Sequence, residues 1–481
     1  MNANQTKCPL GMVFLNIALL CLMAVAPTFA IAQWSWDDPL MAVPKELETP
    51  PLLPGDQSAV SCPIEEDYTK PLVLEAAIDI ALCSNPQLQQ TWANIKVEAN
   101  ALGEASAAYL PTLSGSMSRI KDITSHPDSK LATTVVNSNT IYGTGSWRLF
   151  DFGTRAANQN AAANLLAAAL ANHDANLQKT LYAVIESYFE VYTTRAALSA
   201  RLRSEDIANS TLMTTKKLEA RGASSQSDTL QAMTALAKAQ LEKNRAQSDY
   251  KKALSMLVYW LGIPATSKIS LPDSLDDNAE HDERDLNDWL TDVQKSHPAI
   301  LAARAELDAA RHKVDATRAE GLPTLDLTGN YYENGRPGQS LTPSKTREAT
   351  LGLVVSMPLF EGFARTYKIQ GAKAQLEVKE ASLAETEHQI MMEVAKLYAD
   401  ASTTLQSLKA SEALLKAAQN SFAVSKRKFD KGAVGILELF STQSALADAE
   451  QERIRCVSEW RSARLKLFAS AGQMGRALAS R

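Results

Sequence analysis

The long middle segments of this chain contain almost none of the residues that interrupt helices. Between Thr154 and Leu261 there is no proline, and Gly222 is the only glycine. Because this segment is rich in Ala, Leu, Gln and Lys, it predicts a nearly unbroken helix on each side of Gly222. A helix from Thr154 to Gly222 would be roughly 100 Å long, which is deeper than an ordinary globular core. The sequence therefore predicts long rods that pack against other rods and double back at Gly222.

Long apolar runs are also scarce, and the longest one lies at the start of the chain. Residues 1–32 resemble a secretory signal peptide, with an apolar core from Met12 to Ala26 and a small-residue cleavage site at Ala30-Ile31-Ala32. No run of about eighteen apolar residues follows, which excludes a membrane-spanning helix from the mature chain. The chain is therefore predicted to be exported, and strands would have to provide any membrane crossing.

Sequence motifs for enzymatic chemistry are missing as well. The six histidines have no second metal ligand at helical or loop spacing, and there is no Gly-x-Ser-x-Gly, Gly-x-Gly-x-x-Gly or phosphate-binding Gly-Lys-Ser/Thr sequence. The net charge of −5 is spread over faces of mixed sign, so no nucleic-acid surface is predicted. We therefore predict a protein that is not an enzyme, with no metal, cofactor or nucleic-acid partner. Energy for any transport would come from another protein.

Few cysteines are present, and three follow the predicted cleavage site: Cys62, Cys83 and Cys456. An oxidising compartment favours a disulfide between Cys62 and Cys83, which would tie the N-terminal segment to the first helix. The alternative is two buried thiols. Cys456 lies on a predicted helix and is interpreted as a small apolar filler.

The chain contains a tandem duplication. Arg221-Gly222-Ala223 recurs as Lys431-Gly432-Ala433, and Leu110-Pro111-Thr112-Leu113 recurs as Leu322-Pro323-Thr324-Leu325. One structural unit is therefore used twice, and each half should build the same elements. The predicted parts are a signal peptide (1–32), a Pro-rich N-terminal segment (33–70), a first repeat (71–262), a linker (263–287), a second repeat (288–472) and a tail (473–481).

After each Leu-Pro-Thr-Leu sequence the hydrophobic period changes from 3.6 to 2. Apolar and polar residues alternate in four predicted strands, at about 112–122, 139–150, 324–333 and 348–359. About ten tilted residues are what a bilayer requires of a strand, and aromatic residues such as Trp147 and Phe360 cluster at the strand ends as at a membrane interface. The alternative is a soluble hairpin with aromatic core residues.

Four strands cannot close a barrel, and open sheet edges are not tolerated in lipid. The strands must therefore pair with strands of other copies, and three copies would supply about twelve, an even number within the range of such barrels. The predicted fold class is an α+β membrane protein. Its long antiparallel helical hairpins would form a trimeric α-barrel below a shared twelve-stranded transmembrane β-barrel.

The turns between the long helices carry a carboxylate at matching places. Asp228 follows Gly222, and Glu438 follows Gly432, within the first turns of the returning helices. Each carboxylate could simply complement a helix N-terminus. Because the position is repeated at the narrow end of a ring, the carboxylates could instead face the axis and take part in closing the tip.

These residues resemble the TolC family of outer-membrane factors. The Leu-Pro-Thr-Leu starts of the strands, the sequences Leu149-Phe150-Asp151-Phe152-Gly153 and Leu359-Phe360-Glu361-Gly362 at their ends, and the duplicated tip turns carry the resemblance. It implies a homotrimeric channel-tunnel in the outer membrane of a bacterium, with its helical barrel in the periplasm. It also implies a periplasmic adaptor and an inner-membrane pump, either an ABC transporter or a proton-driven one.

The resemblance also assigns roles at the tip. The positions that would dock the adaptor are Arg221, Gly222, Ala223, Ser224, Lys431, Gly432, Ala433 and Gly435. The candidate pore-gate residues are Ser227, Asp228, Phe429 and Glu438. Val434 and Ser441 stand where the best-known member of the family has a gating arginine and a second acid, so closure here would depend more on packing and weaker polar contacts.

The cargo is indicated only by the sequence around Cys83. Ala-Leu-Cys-Ser-Asn-Pro-Gln, with Cys62 upstream, resembles members that serve ABC-driven type I protein secretion, including the adenylate cyclase-haemolysin exporters. We therefore favour protein secretion over small-molecule or drug efflux with a proton-driven pump. A remote alternative is a soluble periplasmic coiled-coil scaffold, which would need no alternating strands.

Overall fold

The computed structural model describes most of both repeats. The described residues are 38–45, 62, 71–125, 127, 133–222, 225–272, 284–334, 346–431, 433–434 and 436–475. The predicted signal peptide, most of the Pro-rich N-terminal segment and part of the linker lie outside these residues. No helix within the described ranges is both long enough and apolar enough to cross a membrane.

Each repeat folds as two short helices, two strands and a pair of long helices. The first repeat contains α1 (Leu74–Ser84), α2 (Pro86–Ala107), β1 (Thr112–Thr124), β2 (Thr134–Phe150), α3 (Thr154–Ala220) and α4 (Gln226–Leu261). The second contains α5 (Leu286–Ser296), α6 (Pro298–Ala319), β3 (Thr324–Glu333), β4 (Arg347–Ser356), α7 (Ala364–Asp430) and α8 (Ile436–Ser470). The same order of elements in both halves is what a duplicated sequence requires.

Two strand boundaries differ from those expected from the alternation. β2 begins at Thr134 rather than near residue 139, because it stays paired with β1 as far as the Thr124–Thr134 pair. β4 ends at Ser356 rather than near residue 359, since Pro358 lacks the N–H that would continue the ladder.

The four strands form one antiparallel sheet in the order β1-β2-β3-β4. The central pair, β2 with β3, joins the two repeats through a run of partners that includes Gly145 opposite Gly329. The register shifts once, between Arg148 and Phe150. The sheet is therefore built jointly by both halves of the chain.

The helices continue from the sheet as a layer of neighbouring helices around α3 and α7. Each of these two helices has 67 residues, which corresponds to about 100 Å. Beside the sheet, α3 lies between α2 and α6, and α6 also contacts α7. Towards the turns that join the long helices, α3 lies between α4 and α8, and α8 also contacts α7. Ion pairs between helices occur in both parts, such as Lys379 with Glu306 and Lys243 with Glu205.

The main hydrophobic core lies midway along the long helices, where the short helices α1 and α5 cover them; we call it the equatorial core. Its fully buried side chains come from several helices and include Ile78, Leu181, Leu257, Trp289 and Val293. The Tyr188 hydroxyl donates to the Leu72 carbonyl at 3.0 Å, so the segment before α1 is fixed to α3. Cys62 and Cys83 are joined by a disulfide, and Cys456 is buried.

Two glycines mark the ends of the returning helices at the equator. Gly262 and Gly472 adopt the left-handed conformation, with φ of +73° and +72°. A Cβ at Gly262 would lie 2.5 Å from the Ser84 carbonyl oxygen, and a Cβ at Gly472 would lie 2.9 Å from Pro298 Cδ. In each repeat, therefore, only glycine lets the returning helix end directly against the break between the two short helices.

A side chain at each of these breaks caps two helices at once. In the first repeat the Asn85 side chain accepts from the Gln87 N–H at 2.9 Å and donates to the Trp260 carbonyl at 2.9 Å. One residue thus satisfies a free N–H at the start of α2 and a free carbonyl at the end of α4. His297 holds the corresponding place in the second repeat.

His297 makes the same two kinds of contact with an imidazole. Its Nδ1 accepts from the Ala299 N–H at 3.2 Å, and the ring also hydrogen-bonds the Ser470 backbone. Nδ1 must be unprotonated to accept, so this arrangement holds a neutral ring with one tautomer. Burial lowers the pKa of His297, while the bond to Ser470 opposes part of that effect.

We expect His297→Asn to reduce the pH dependence of stability, because asparagine makes the same caps in the first repeat without titrating. The pKa of folded His297 lies below its unfolded value, so its stabilising effect is full above about pH 6.5 and is lost as the pH falls through the folded pKa. Thermal unfolding of the detergent-solubilised protein at pH 7.5 and pH 5.5 measures this difference, which should be smaller in His297→Asn than in wild type. His388→Asn, at an exposed position of α7, is the control. An equal loss of stability on acidification in wild type and His297→Asn would contradict the expectation.

Candidate functional site

The sheet has one apolar face that no other described element covers. Because side chains alternate along a strand and the register aligns them across strands, this face gathers one set of residues. Its members are Leu113, Met117, Ile141, Trp147, Leu325, Leu327, Leu351, Leu353 and Val355. Leu113 is 86% exposed and Leu351 is 80% exposed. A contiguous apolar surface of this kind is typical of contact with lipid or with another protein.

Glycines lie between the leucines in one row of this face. The row runs from Leu113 through Gly145 and Gly329 to Leu351. A Cβ at Gly145 would lie 3.0 Å from Leu113 Cδ2, and a Cβ at Gly329 would lie 3.7 Å from Leu351 Cδ1. The leucine side chains therefore lean over the glycines. The isolated Gly143-Thr144-Gly145 sequence is a packing feature of this face rather than part of a phosphate-binding loop.

The opposite face of the sheet is polar and hydrogen-bonded across the strands. The Thr144 hydroxyl donates to Asn330 Oδ1 at 2.8 Å, and Asn330 Nδ2 donates to the Thr350 hydroxyl at 3.4 Å. Nearer the loops, the Ser118 and Thr140 hydroxyls are 2.6 Å apart. This ladder of neutral polar groups is suited to contact with water.

One ion pair and one aromatic pair lie on the same polar face. Arg148 Nε donates to Asp326 Oδ1 at 2.9 Å, which joins the two repeats. The rings of Tyr142 and Tyr332 are stacked with their centroids 5.3 Å apart. The sheet is thus apolar on one side and polar with paired charge on the other.

Aromatic side chains surround the end of the sheet that adjoins the helices. Trp147 Nε1 donates to the Tyr109 carbonyl at 2.9 Å. Phe152 and Phe363 both have positive φ, of 51° and 65°, at matching strand-to-helix turns, and both side chains are exposed. Exposed aromatic rings with a nearby polar contact are characteristic of a membrane–water interface.

An arginine fixes each strand-to-helix turn, a role that the sequence interpretation did not foresee. Arg155 pairs with Asp151 at 2.9 Å and donates to the Arg148 carbonyl at 2.7 Å. In the second repeat Arg365 pairs with Glu361 at 2.9 Å. The available signal was the spacing of four residues between the acid and the arginine, repeated in both halves. These arginines fasten the sheet to the long helices.

At the first tip turn, the structure places Asp228 in a capping box. Its Oδ2 accepts from the Ser225 N–H at 3.0 Å, and the Ser225 hydroxyl accepts from the Asp228 N–H at 3.2 Å. Gly222 has φ of +70°, and Arg221, Gly222 and Ser227 are exposed. The helix-terminal role considered for Asp228 is thus observed, whereas a gating role stays a prediction. Ala223 and Ser224 lie outside the described residues.

The second tip turn is described in part. The Lys428 carbonyl accepts from the N–H groups of Lys431 and Ala433, at 3.2 and 2.9 Å. Glu438 is exposed in the first turn of α8, as are Lys431 and Ala433 before it. Gly432, Gly435 and the side chain of Phe429 lie outside the described parts, so docking and gating at this turn remain predictions.

The described residues contain no group of three or more His, Cys, Asp or Glu side chains arranged to hold a metal ion.

The matches to known proteins extend over both repeats. The family described as outer membrane efflux protein matches residues 77–262 and 289–473. Protein CyaE of Bordetella pertussis is 36% identical over 434 residues, which are 89% of this chain and 91% of that protein. Alkaline protease secretion protein AprF of Pseudomonas aeruginosa is 21% identical over 306 residues, which are 62% of this chain and 63% of that protein.

The fold is also similar to solved structures. The Campylobacter jejuni CmeC outer membrane channel superposes with a TM-score of 0.74 at 15% sequence identity, over 87% of this chain and 92% of that one. At that identity the likeness concerns the fold.

The two faces of β4 allow a matched test of which side meets lipid. We expect Leu353→Lys to destabilise the membrane-inserted protein by about 2–4 kcal/mol, because it places a charge on the apolar face. Val354→Lys, on the neighbouring residue and the polar face, should cost less than about 1 kcal/mol. Guanidinium unfolding of the protein in lipid vesicles measures both changes. Equal losses for the two variants would contradict the assignment of the faces.

Proposed function

The chain belongs to the outer membrane efflux protein family, and from that premise we propose that three copies close into one export conduit across the outer membrane. The observation that carries the proposal is the open sheet, with an exposed apolar face, a hydrogen-bonded polar face and two outer strands. In a closed ring the apolar face would contact lipid and the polar face would line a water-filled pore.

The outer strands β1 and β4 determine how the ring would close. Within one copy, each of them is hydrogen-bonded along one side, to β2 and to β3 respectively. Unpaired backbone groups in hydrocarbon cost several kcal/mol each, so β4 of one copy would pair with β1 of the next. Repeated head-to-tail around a threefold axis, this contact closes into a ring of about twelve strands.

The helical layer would continue the pore into the periplasm as a tunnel. The long helices α3 and α7 run directly from the strands, and Arg155 and Arg365 hold the connections rigid. The tip turns at 221–228 and 431–438 would then lie at the far end, where a periplasmic adaptor coupled to an inner-membrane pump would dock. The exposed positions Arg221 and Lys431 fit such a contact.

For the cargo, we favour protein secretion driven by an ABC transporter. The family description, outer membrane efflux protein, covers the alternative of small-molecule efflux with a proton-driven pump. In favour of protein secretion, a relative aligned over much of the chain is named an alkaline protease secretion protein. The sequence around Cys83 also resembles the type I secretion subgroup. The soluble-scaffold alternative gives no reason for the large apolar face of the sheet.

Crosslinking from the tip would identify the pump and therefore the cargo class. Ala223→Cys and Ala433→Cys, labelled in cells with a bifunctional crosslinker, should capture an adaptor, and purification of that adaptor should bring with it an ABC transporter. Leu165→Cys, at an exposed position near the sheet end of α3, is the matched control and should capture neither. Recovery of a proton-driven pump in place of an ABC transporter would overturn the assignment to protein secretion.

The tip carboxylates are proposed to contribute to closure of the pore. Glu438→Ala should raise the leak conductance of the closed trimer in planar bilayers, because it removes a carboxylate from the tip. Ser225→Ala is the control for Asp228→Ala, because both substitutions remove the helix cap and should lower helix stability by about 1 kcal/mol. Only Asp228→Ala should also change the conductance. An unchanged leak in both carboxylate variants would exclude these residues from the gate.

A further inference from the structure

A groove lies beside the equatorial core, and Phe189 and Leu397 belong to both. It has a volume of about 750 Å³ and is lined by α3, α7 and α8. On α3, Glu186 and Glu190 line the groove, whereas Tyr188 and Ile185 are buried in the core. Because successive helical residues are about 100° apart, the two carboxylates lie on a different side of α3 from Tyr188 and Ile185. The carboxylate side of the groove therefore faces away from Tyr188 and Ile185.

The groove carries an excess of negative charge. Its carboxylates are Glu186, Glu190, Glu393, Asp400 and Glu459, and its cationic side chains are Lys396 and Lys466. Lys466 is already engaged, because its Nζ lies 2.6 Å from Glu186 Oε1 and 4.9 Å from the centre of the Tyr182 ring. Glu459 is paired as well, with Arg455 at 3.3 Å. Glu190, Glu393 and Asp400 still outnumber Lys396, the other cationic side chain of the groove.

Several of these carboxylates act on ionisable side chains that line the groove. Burial raises the pKa of Glu190, and Glu186 and Glu459 raise it further, while Lys466 acts in the opposite direction. On the same helix, α3, the pKa of Tyr182 is raised by burial and by Glu186, Glu393 and Asp400. Neighbouring carboxylates of the groove thus repel one another, and a bound cation would relieve that repulsion.

One buried polar group in the groove has no partner within the protein. Ser458 lines the groove from α8 and is 1% exposed, and its hydroxyl has no hydrogen-bond partner among the described residues. A buried hydroxyl without a partner costs free energy that a donor from a ligand would recover. Phe189, Met392 and Leu397 add apolar surface beside it.

We propose that this groove binds an organic cation, an ammonium or guanidinium group carried on an apolar body. The cation would donate to the carboxylates and to the Ser458 hydroxyl, while its apolar part would cover Phe189, Met392 and Leu397. A metal ion fits less well, since the described carboxylates do not gather into a metal-binding set. The proposal rests on the proposed conduit in one respect: closure of the trimer would place the groove on the inner wall. The cation could be a basic side chain of a polypeptide in transit or a free amine.

The test uses the trimeric protein in nanodiscs and a fluorescent primary amine, dansylcadaverine, as the probe. Its anisotropy should rise with added protein, and N-acetyl-dansylcadaverine, which has the same apolar body without the charge, should bind at least about tenfold more weakly. Two dansylated pentapeptides, one with a single lysine and one with glutamine in its place, show whether the bound cation belongs to a polypeptide or is a free amine. Tighter binding of the lysine peptide than of the free amine would favour a polypeptide, and the reverse order would favour a free amine.

Variants on one helix locate the site. Glu393→Gln/Asp400→Asn, at two exposed positions of α7, should raise the apparent Kd of dansylcadaverine about tenfold or more. Glu377→Gln/Glu412→Gln removes the same charge from exposed positions of α7 outside the groove and should leave the Kd unchanged. Glu438→Gln, at the tip, should also leave it unchanged.

Ser458→Ala distinguishes binding from a structural effect. Removing an unpartnered buried hydroxyl should leave the melting temperature the same or raise it, yet weaken the binding of dansylcadaverine. Equal affinity for the charged and neutral probes, or unchanged affinity in Glu393→Gln/Asp400→Asn and Ser458→Ala, would overturn the proposal. If the cation-binding proposal failed in this way while the protein was still a trimer, the proposed conduit would stand. Failure of the binding proposal is therefore distinguishable from failure of the conduit.

Discussion

The hydrogen-bonding requirement of the peptide backbone in lipid is the constraint on which the rest of this structure depends. A strand that meets hydrocarbon must have a neighbour on both sides, since no water is present to satisfy its N–H and carbonyl groups. One copy supplies four strands in the order β1-β2-β3-β4, which leaves β1 and β4 as outer strands. The apolar face, the aromatic residues at the helix-side end and the polar ladder of Thr144, Asn330 and Thr350 fit the proposed completion of the sheet by other copies.

The same duplication that builds the sheet also builds the helical part. Each repeat ends its returning helix at a left-handed glycine, Gly262 or Gly472, and caps the facing break with a side chain that serves two helices. Asn85 performs this role in one repeat and His297 in the other. The two halves have therefore kept the geometry of the contact while diverging in its chemistry, and only the second half carries a titratable group there.

The sequence predicted those features that depend on local periodicity. Alternation identified the four strands and both faces of the sheet, and the scarcity of proline and glycine identified the long helices; comparison with known proteins confirmed the family resemblance. Features that depend on distant contacts were not predictable in this way. Arg155 and Arg365 act on backbone carbonyls of other elements, and the groove exists only once α3, α7 and α8 lie side by side. The role of Asp228 was ambiguous, because a carboxylate at the start of a helix can serve either as a helix cap or as part of a gate.

The mass of the purified mature protein tests the central claim most directly, because closure of the sheet by identical copies is the step from which the conduit follows. Light scattering with the detergent contribution subtracted, or native mass spectrometry from detergent, measures that mass. The account predicts a particle of three chains that requires detergent to stay in solution. A single chain that remains dispersed in water without detergent would contradict it, because such a chain would have to satisfy its outer strands and cover its apolar face by itself.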